Sequence, residues 1–116
     1  MRDQVIDTFS IELPWDICAA KVARIALSDW GANPECDVAV SELVLNAFQH
    51  GAPPITLTAI RTPNRVRIEI SDGRSDFGPR RKYGVAGLKI VDAFSTAWGT
   101  IELPTGGKVV WVEFPA

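Results

Sequence analysis

Apolar residues Val5, Phe9, Ile11 and Leu13 keep a period of two, broken only by Asp7, up to Pro14, which predicts a strand. Asp16 follows as a helix N-cap, and Cys18, Val22, Ile25 and Ala26 then recur at helical spacing, with Lys21, Arg24 and Ser28 elsewhere on the wheel. Gly31-Ala32-Asn33-Pro34 stops that helix after Trp30. A second helix is predicted over 35–50, closed by Gly51 with Pro53-Pro54 beyond. Next, Ile55, Leu57 and Ala59 alternate with threonines, Pro63-Asn64 turns the chain, and Val66, Ile68 and Ile70 alternate with Arg65, Arg67 and Glu69. This is a hairpin with one face on a core and the other toward solvent. Residues 73–83 are irregular, polar and basic, and a loop of that length in a small domain is usually functional or mobile. A third helix over 87–94 and strands over 96–103 and 108–114 complete the pattern.

The order is strand, helix, helix, strand, strand, loop, helix, strand, strand. Neighbouring strands are mostly hairpin partners, so the class is α+β. We expect a two-layer sandwich in which a mixed, mostly antiparallel sheet is covered on one face by three helices. A length of 116 residues supports one core, so residues 1–116 are read as a single domain.

Composition narrows the function. Hydrophobic residues at 47% and charged residues at 22% are those of an ordinary soluble domain. A net charge of −2 and a pI near 5.3 argue against direct nucleic-acid binding through a broad basic face. With one histidine and no Cys-x-x-Cys pair, a zinc site is not indicated; Cys18 and Cys36 are expected to be free, buried thiols in a reducing compartment. The N-terminal sequence lacks the apolar block of a signal peptide and no run reaches a membrane span, so a cytoplasmic protein without membrane contact is expected.

On the second helix Glu42, Asn46 and Gln49 fall within about 60° of one another, with His50 at the edge, among Val40, Leu43, Val44, Leu45, Ala47 and Phe48. Such a narrow polar stripe is either the solvated side of an amphipathic helix or the lining of a ligand cavity. After the third strand, Asp72-Gly73 is either a plain turn or an acceptor for an exocyclic amine such as adenine's. Gly84 and Gly87, before Leu88, either punctuate a loop or expose the N–H groups of a helix start to phosphate. The phosphate-binding P-loop and the dinucleotide fingerprint are both absent.

The ordered set resembles the histidine-kinase-like ATPase superfamily, which includes gyrase, the ninety-kilodalton heat-shock chaperones, sensor histidine kinases and mismatch-repair ATPases. It comprises Glu42-x-x-x-Asn46-x-x-x-His50-Gly51, strand-Asp72-Gly73, Gly87-Leu88 and Gly106-Gly107-Lys108 before the last strand. The chain is most similar to the single-domain anti-sigma factor serine/threonine kinases. Residues 41–51 look like their asparagine box, and residues 90–99 and 107–111 look like their C-terminal half.

That resemblance implies an ATP-binding domain with Mg²⁺. Asn46 would hold the metal, Glu42 would be the general base, and Asp72 with Gly73 would read adenine. His50 lies in the asparagine box; Gly84, Gly87 and Leu88 would lie by the phosphates, and the loop cations Arg74, Arg80, Arg81 and Lys82 would either add charge there or stay solvated. It also implies a sigma factor and an anti-anti-sigma antagonist as partners, and a homodimer. Arg74 and Asp76 stand where the aspartate box usually has glycines, and Val85-Ala86-Gly87-Leu88 replaces Gly-x-Gly-Leu. These departures favour a rival reading, an ATP-binding switch that transfers nothing. A sensor-kinase catalytic fragment and a ligand-free interaction domain are the remaining alternatives.

Overall fold

The computed structural model describes residues 4–73, 85–104 and 106–116, of which 85–88 are described as backbone. These residues form five strands and three helices. They are β1 (Asp7–Leu13), α1 (Ala19–Trp30), α2 (Cys36–His50), β2 (Ile55–Arg61), β3 (Arg65–Asp72), α3 (Val85–Phe94), β4 (Ala97–Glu102) and β5 (Lys108–Pro115). The strands join in the order β1-β2-β3-β5-β4, and every pairing is antiparallel. The expected α+β layering is present, and the sheet is more regular than the mixed one anticipated.

Strand alternation decides which side is buried. Ile55, Leu57 and Ala59 of β2, Val66, Ile68 and Ile70 of β3, and Val110, Val112 and Phe114 of β5 point into one core. Ala39, Val40, Leu43 and Val44 of α2 pack into the same core, making α2 the central helix of the layer. Its neighbours are α1 and α3. α3 is tied to β4 by Trp98, whose Nε1–H donates to Asp92 Oδ1 at 3.3 Å, and Ser95 caps its end by donating to the Val91 carbonyl at 2.6 Å.

The ends of α1 and α2 follow local chemistry. Gly31 adopts a left-handed φ of 95°, its N–H donates to Ser28 O, and Ala32 N–H donates to Leu27 O, a paired C-terminal closure that relies on glycine. Asn33 Oδ1 accepts the Glu35 N–H at 3.0 Å, starting α2. Asp16 Oδ1 accepts the Cys18 N–H at 2.7 Å, but α1 begins only at Ala19, so Asp16 shapes the turn before the helix instead of serving as its N-cap.

One helical face differs from expectation. The buried stripe of α1 is Ala19, Ala23 and Leu27, whereas Cys18 and Ile25 are exposed. Alanine is apolar enough to bury and small enough to let a helix sit close to its neighbour, so the less hydrophobic stripe faces the core. Cys36 is buried as expected and Cys18 is not; both are free thiols. No helix among the described residues is long and apolar enough to cross a membrane.

Candidate functional site

The polar stripe of α2 is divided by the structure. Asn46 is buried, at 5% exposure, Glu42 and His50 are half-buried, and Gln49 is exposed. Leu45 is also exposed, while Phe48 stacks on Trp15 with ring centroids 4.7 Å apart. The apolar arc around the stripe is therefore not wholly in the core, and the solvated-side reading holds for Gln49 alone. Asn46 stands out because its Nδ2 is buried and meets no hydrogen-bond acceptor among the described residues. Leaving a buried amide donor unsatisfied costs about 1–3 kcal/mol, a cost that a ligand acceptor would remove. Glu42 lies one turn earlier on the same helix face and makes no hydrogen bond or ion pair among the described residues.

The second component arrives on β3. Parity along that strand puts Val66, Ile68, Ile70 and Asp72 on the helix-facing side, so Asp72 is buried at 6% exposure where the neighbouring positions are aliphatic. The end of α2 is laid directly over it. Gly51 closes α2 by donating to the Ala47 carbonyl at 2.9 Å, and a Cβ at position 51 would come within 2.8 Å of Asp72 Cβ and Cγ. Next along β3, the Gly73 N–H donates to the Ala52 carbonyl at 2.7 Å, and a Cβ on Gly73 would sit 2.5 Å from the Pro53 carbonyl oxygen. Glycine is required at both positions by close packing. The asparagine and the aspartate, predicted from separate motifs, thus belong to one junction between the end of α2 and the end of β3.

A third polar residue, Lys108, entered the sequence reading only as the end of the Gly106-Gly107-Lys108 motif, with no role in the site. Lys108 is directly opposite Asp72 in the antiparallel register of β3 and β5, and it is buried at 6% exposure. Asn46, Asp72 and Lys108 are the buried polar side chains among the described residues. A signal was available: Lys108 shares its strand parity with Val110, Val112 and Phe114, so a lysine occupies the first position of a core-facing row. The preceding turn is held by Gly106 and Gly107, with φ of 89° and 84°.

Not every predicted residue is placed. Gly87 lies in the first turn of α3, which starts at Val85 instead of 87, and Leu88 follows it there. Arg74, Arg80, Arg81, Lys82 and Gly84 lie outside the described residues, as does most of the expected loop over 73–83. Among the described residues no group of three or more His, Cys, Asp or Glu side chains converges as a metal site. Two cavities of about 150 and about 510 Å³ open elsewhere. The first is lined by Ile17, Ala20, Val44 and Phe48, the second by Pro34, Cys36, Arg61 and Pro115, and neither includes Glu42, Asn46 or Asp72. Their size does not make either the chemical site, because both lack the buried polar groups that the α2–β3 junction concentrates.

No protein-family model and no curated protein matches the chain. Among solved structures it is similar to the crystal structure of the RsbU and RsbW domains of Rv1364c from Mycobacterium tuberculosis, with a TM-score of 0.69 and 24% sequence identity. The match covers 93% of this chain and 32% of that one, so the chain spans about a third of the neighbour's length. At that identity the likeness is one of fold.

Proposed function

We propose that the α2–β3 junction is an ATP site and that the domain is a regulatory serine/threonine protein kinase of the anti-sigma factor type. The observation that carries this reading is the orphaned, buried amide donor of Asn46 on the helix whose end, at Gly51, closes against the buried carboxylate of Asp72. A buried amide without an acceptor and a buried carboxylate under a glycine-tight helix end both fit a polar ligand. The order of the motifs along the chain, and a fold shared with a protein described as carrying an RsbW domain, support the choice of nucleotide.

In this reading Asp72 accepts a hydrogen bond from the adenine amine, and Gly73 keeps the backbone close beside it. Asn46 would hold Mg²⁺ through its amide oxygen, and its orphaned amide N–H would find an acceptor on the nucleotide. Mg²⁺ keeps several waters and needs few protein ligands where phosphate oxygens supply the rest, which suits a single amide ligand. His50, Gly84, Gly87, Leu88, Arg74 and Arg81 would complete the nucleotide surroundings, as the family resemblance implies. Glu42 takes the proton of an antagonist serine or threonine hydroxyl as that oxygen bonds to the γ-phosphorus and the bond to ADP breaks. Partners would be a sigma factor, which the domain sequesters, and the antagonist it phosphorylates; the domain would act as a cytoplasmic homodimer.

A second reading keeps the site and removes the transfer: an ATP-dependent switch that holds a partner without phosphorylating it. Arg74, Asp76 and Val85, standing in place of the usual glycines, favour it. Nucleotide titration with melting tests what the two readings share. ATP with Mg²⁺ at a hundredfold excess over Kd should add about 2.7 kcal/mol of stability. Asp72→Asn should remove most of that gain. Wild-type protein whose melting temperature ignores millimolar ATP would rule out both.

A further inference from the structure

Lys108 has no part in the site as derived so far, yet its position calls for a role. It faces Asp72 across β3 and β5, both side chains lie on the helix-covered face, and each is 6% exposed. Lysine is almost never buried to this degree unless paired, and cross-strand partners on one face have their Cβ atoms about 5 Å apart. Burying two opposite charges is no efficient route to stability, since well-packed hydrophobic residues of similar volume often do as well or better. The remaining core-facing positions of β5 are Val110, Val112 and Phe114, so the strand's own pattern would have supplied an apolar residue here. Asp72 and Lys108 face each other where Gly51 closes α2, the helix that also carries the orphaned amide of Asn46, over β3.

We propose that Lys108 is a base-reading residue, whose ammonium donates to adenine N1 while Asp72 accepts from the N6 amine. The proposal rests on the nucleotide-site reading above and adds a specificity-determining side chain to it. A carboxylate offers about four acceptor positions and an ammonium three donors, so the two can bind each other and still present one acceptor and one donor side by side. The Watson–Crick edge of adenine carries the complement, a donor at N6 next to an acceptor at N1. Guanine in the same pose places O6 against the carboxylate and N1–H against the ammonium. Both contacts then fail, and a site built to hydrogen-bond its ligand discriminates strongly against an analogue that leaves buried groups unpaired.

The test uses ADP, which binds without turnover, and 1-deaza-ADP, in which a C–H replaces the N1 acceptor. Wild-type protein should bind ADP about 10- to 100-fold more tightly than 1-deaza-ADP, the size expected for a hydrogen bond to a charged group. Lys108→Met should bind the two with equal affinity. Because that variant leaves Asp72 buried without its cation and so could fail to fold, a second measurement uses the wild type. The ¹⁵N resonance of the Lys108 ammonium should shift with ADP and stay in place with 1-deaza-ADP. A Lys108→Met protein that keeps the full preference for ADP, or an ammonium that ignores bound ADP, overturns the role of Lys108 and leaves the nucleotide site standing. Wild-type protein that does not bind ADP at millimolar concentration overturns both.

Discussion

A Cβ placed on Gly51 would lie 2.8 Å from both Cβ and Cγ of Asp72, so the residue that ends α2 also sets where the buried carboxylate sits. The same Cβ would be 2.7 Å from the Ala47 carbonyl oxygen, which is backbone and cannot swing away. Gly51→Ala should therefore push apart the helix end and the strand end. Overpacking of this kind costs about 1–3 kcal/mol. The variant should melt earlier than wild type and bind ATP more weakly, because Asp72 moves with the strand. Unchanged melting together with unchanged affinity would show that position 51 does not control the site.

Asn46 should show a trade between stability and binding. Its buried Nδ2 has no acceptor among the described residues, so replacing the amide with an apolar group of similar size removes a polar group that folding leaves unsatisfied. Asn46→Leu should hold or raise the unfolding free energy of the nucleotide-free protein measured in urea, by up to about 1–3 kcal/mol, while greatly weakening Mg-ATP binding. If Asn46→Leu is strongly destabilised in the absence of nucleotide, the amide serves the fold instead of a ligand.

How far the sequence carried the structure depends on what kind of signal each element held. Strands were legible where branched apolar residues alternate, as from Val66 to Ile70, and helix ends where Gly31 and Gly51 stand. The face of α1 was not, because Cys18, Val22 and Ile25 outrank Ala19 and Ala23 in hydrophobicity while the core selected the small residues. Asn46 and Asp72 were found as parts of separate motifs, and spacing along the chain could not say that Gly51 closes the helix of Asn46 against Asp72. Lys108 was read as the end of the Gly106-Gly107-Lys108 motif and given no role of its own. Its meaning comes from Asp72, which is 36 positions away in the chain and adjacent in the sheet.

The two cysteines should differ sharply in reactivity. Burial, with Asp37 and Glu35 adding to it, raises the Cys36 pKa from 9.0 to about 11. Cys18 is exposed. Thiol reagents act on the thiolate, so at pH 8 the folded protein should be modified at Cys18 alone, and at both positions after denaturation. The raised pKa also has a stability consequence. Between about pH 9 and 11 the unfolded chain loses the Cys36 proton before the folded one does, so this group's contribution to stability is present below pH 9 and declines toward 11. Equal labelling rates at the two cysteines of the native protein would contradict the burial of Cys36.

Glu42 separates the kinase from the switch. It is half-buried on the face of α2 that carries Asn46, one turn away, and makes no hydrogen bond or ion pair among the described residues. A carboxylate committed to no partner is suited to accepting a proton. Glu42→Gln keeps the shape and removes the basicity, so ATP affinity should stay within a few-fold of wild type. Phosphate transfer to a cognate antagonist should fall by about 10²–10⁴-fold, the range a positioned base contributes. Asn46→Ala should instead weaken Mg-ATP binding as well as transfer, because it removes the proposed metal ligand. Both quantities must be measured on each variant, one by titration and the other by phosphorylation of an antagonist that binds the domain. Wild-type protein that binds ATP and the antagonist but transfers no phosphate would end the kinase reading. The switch would then take its place, with Glu42 a polar neighbour of the pocket and Asn46 and Asp72 keeping their roles.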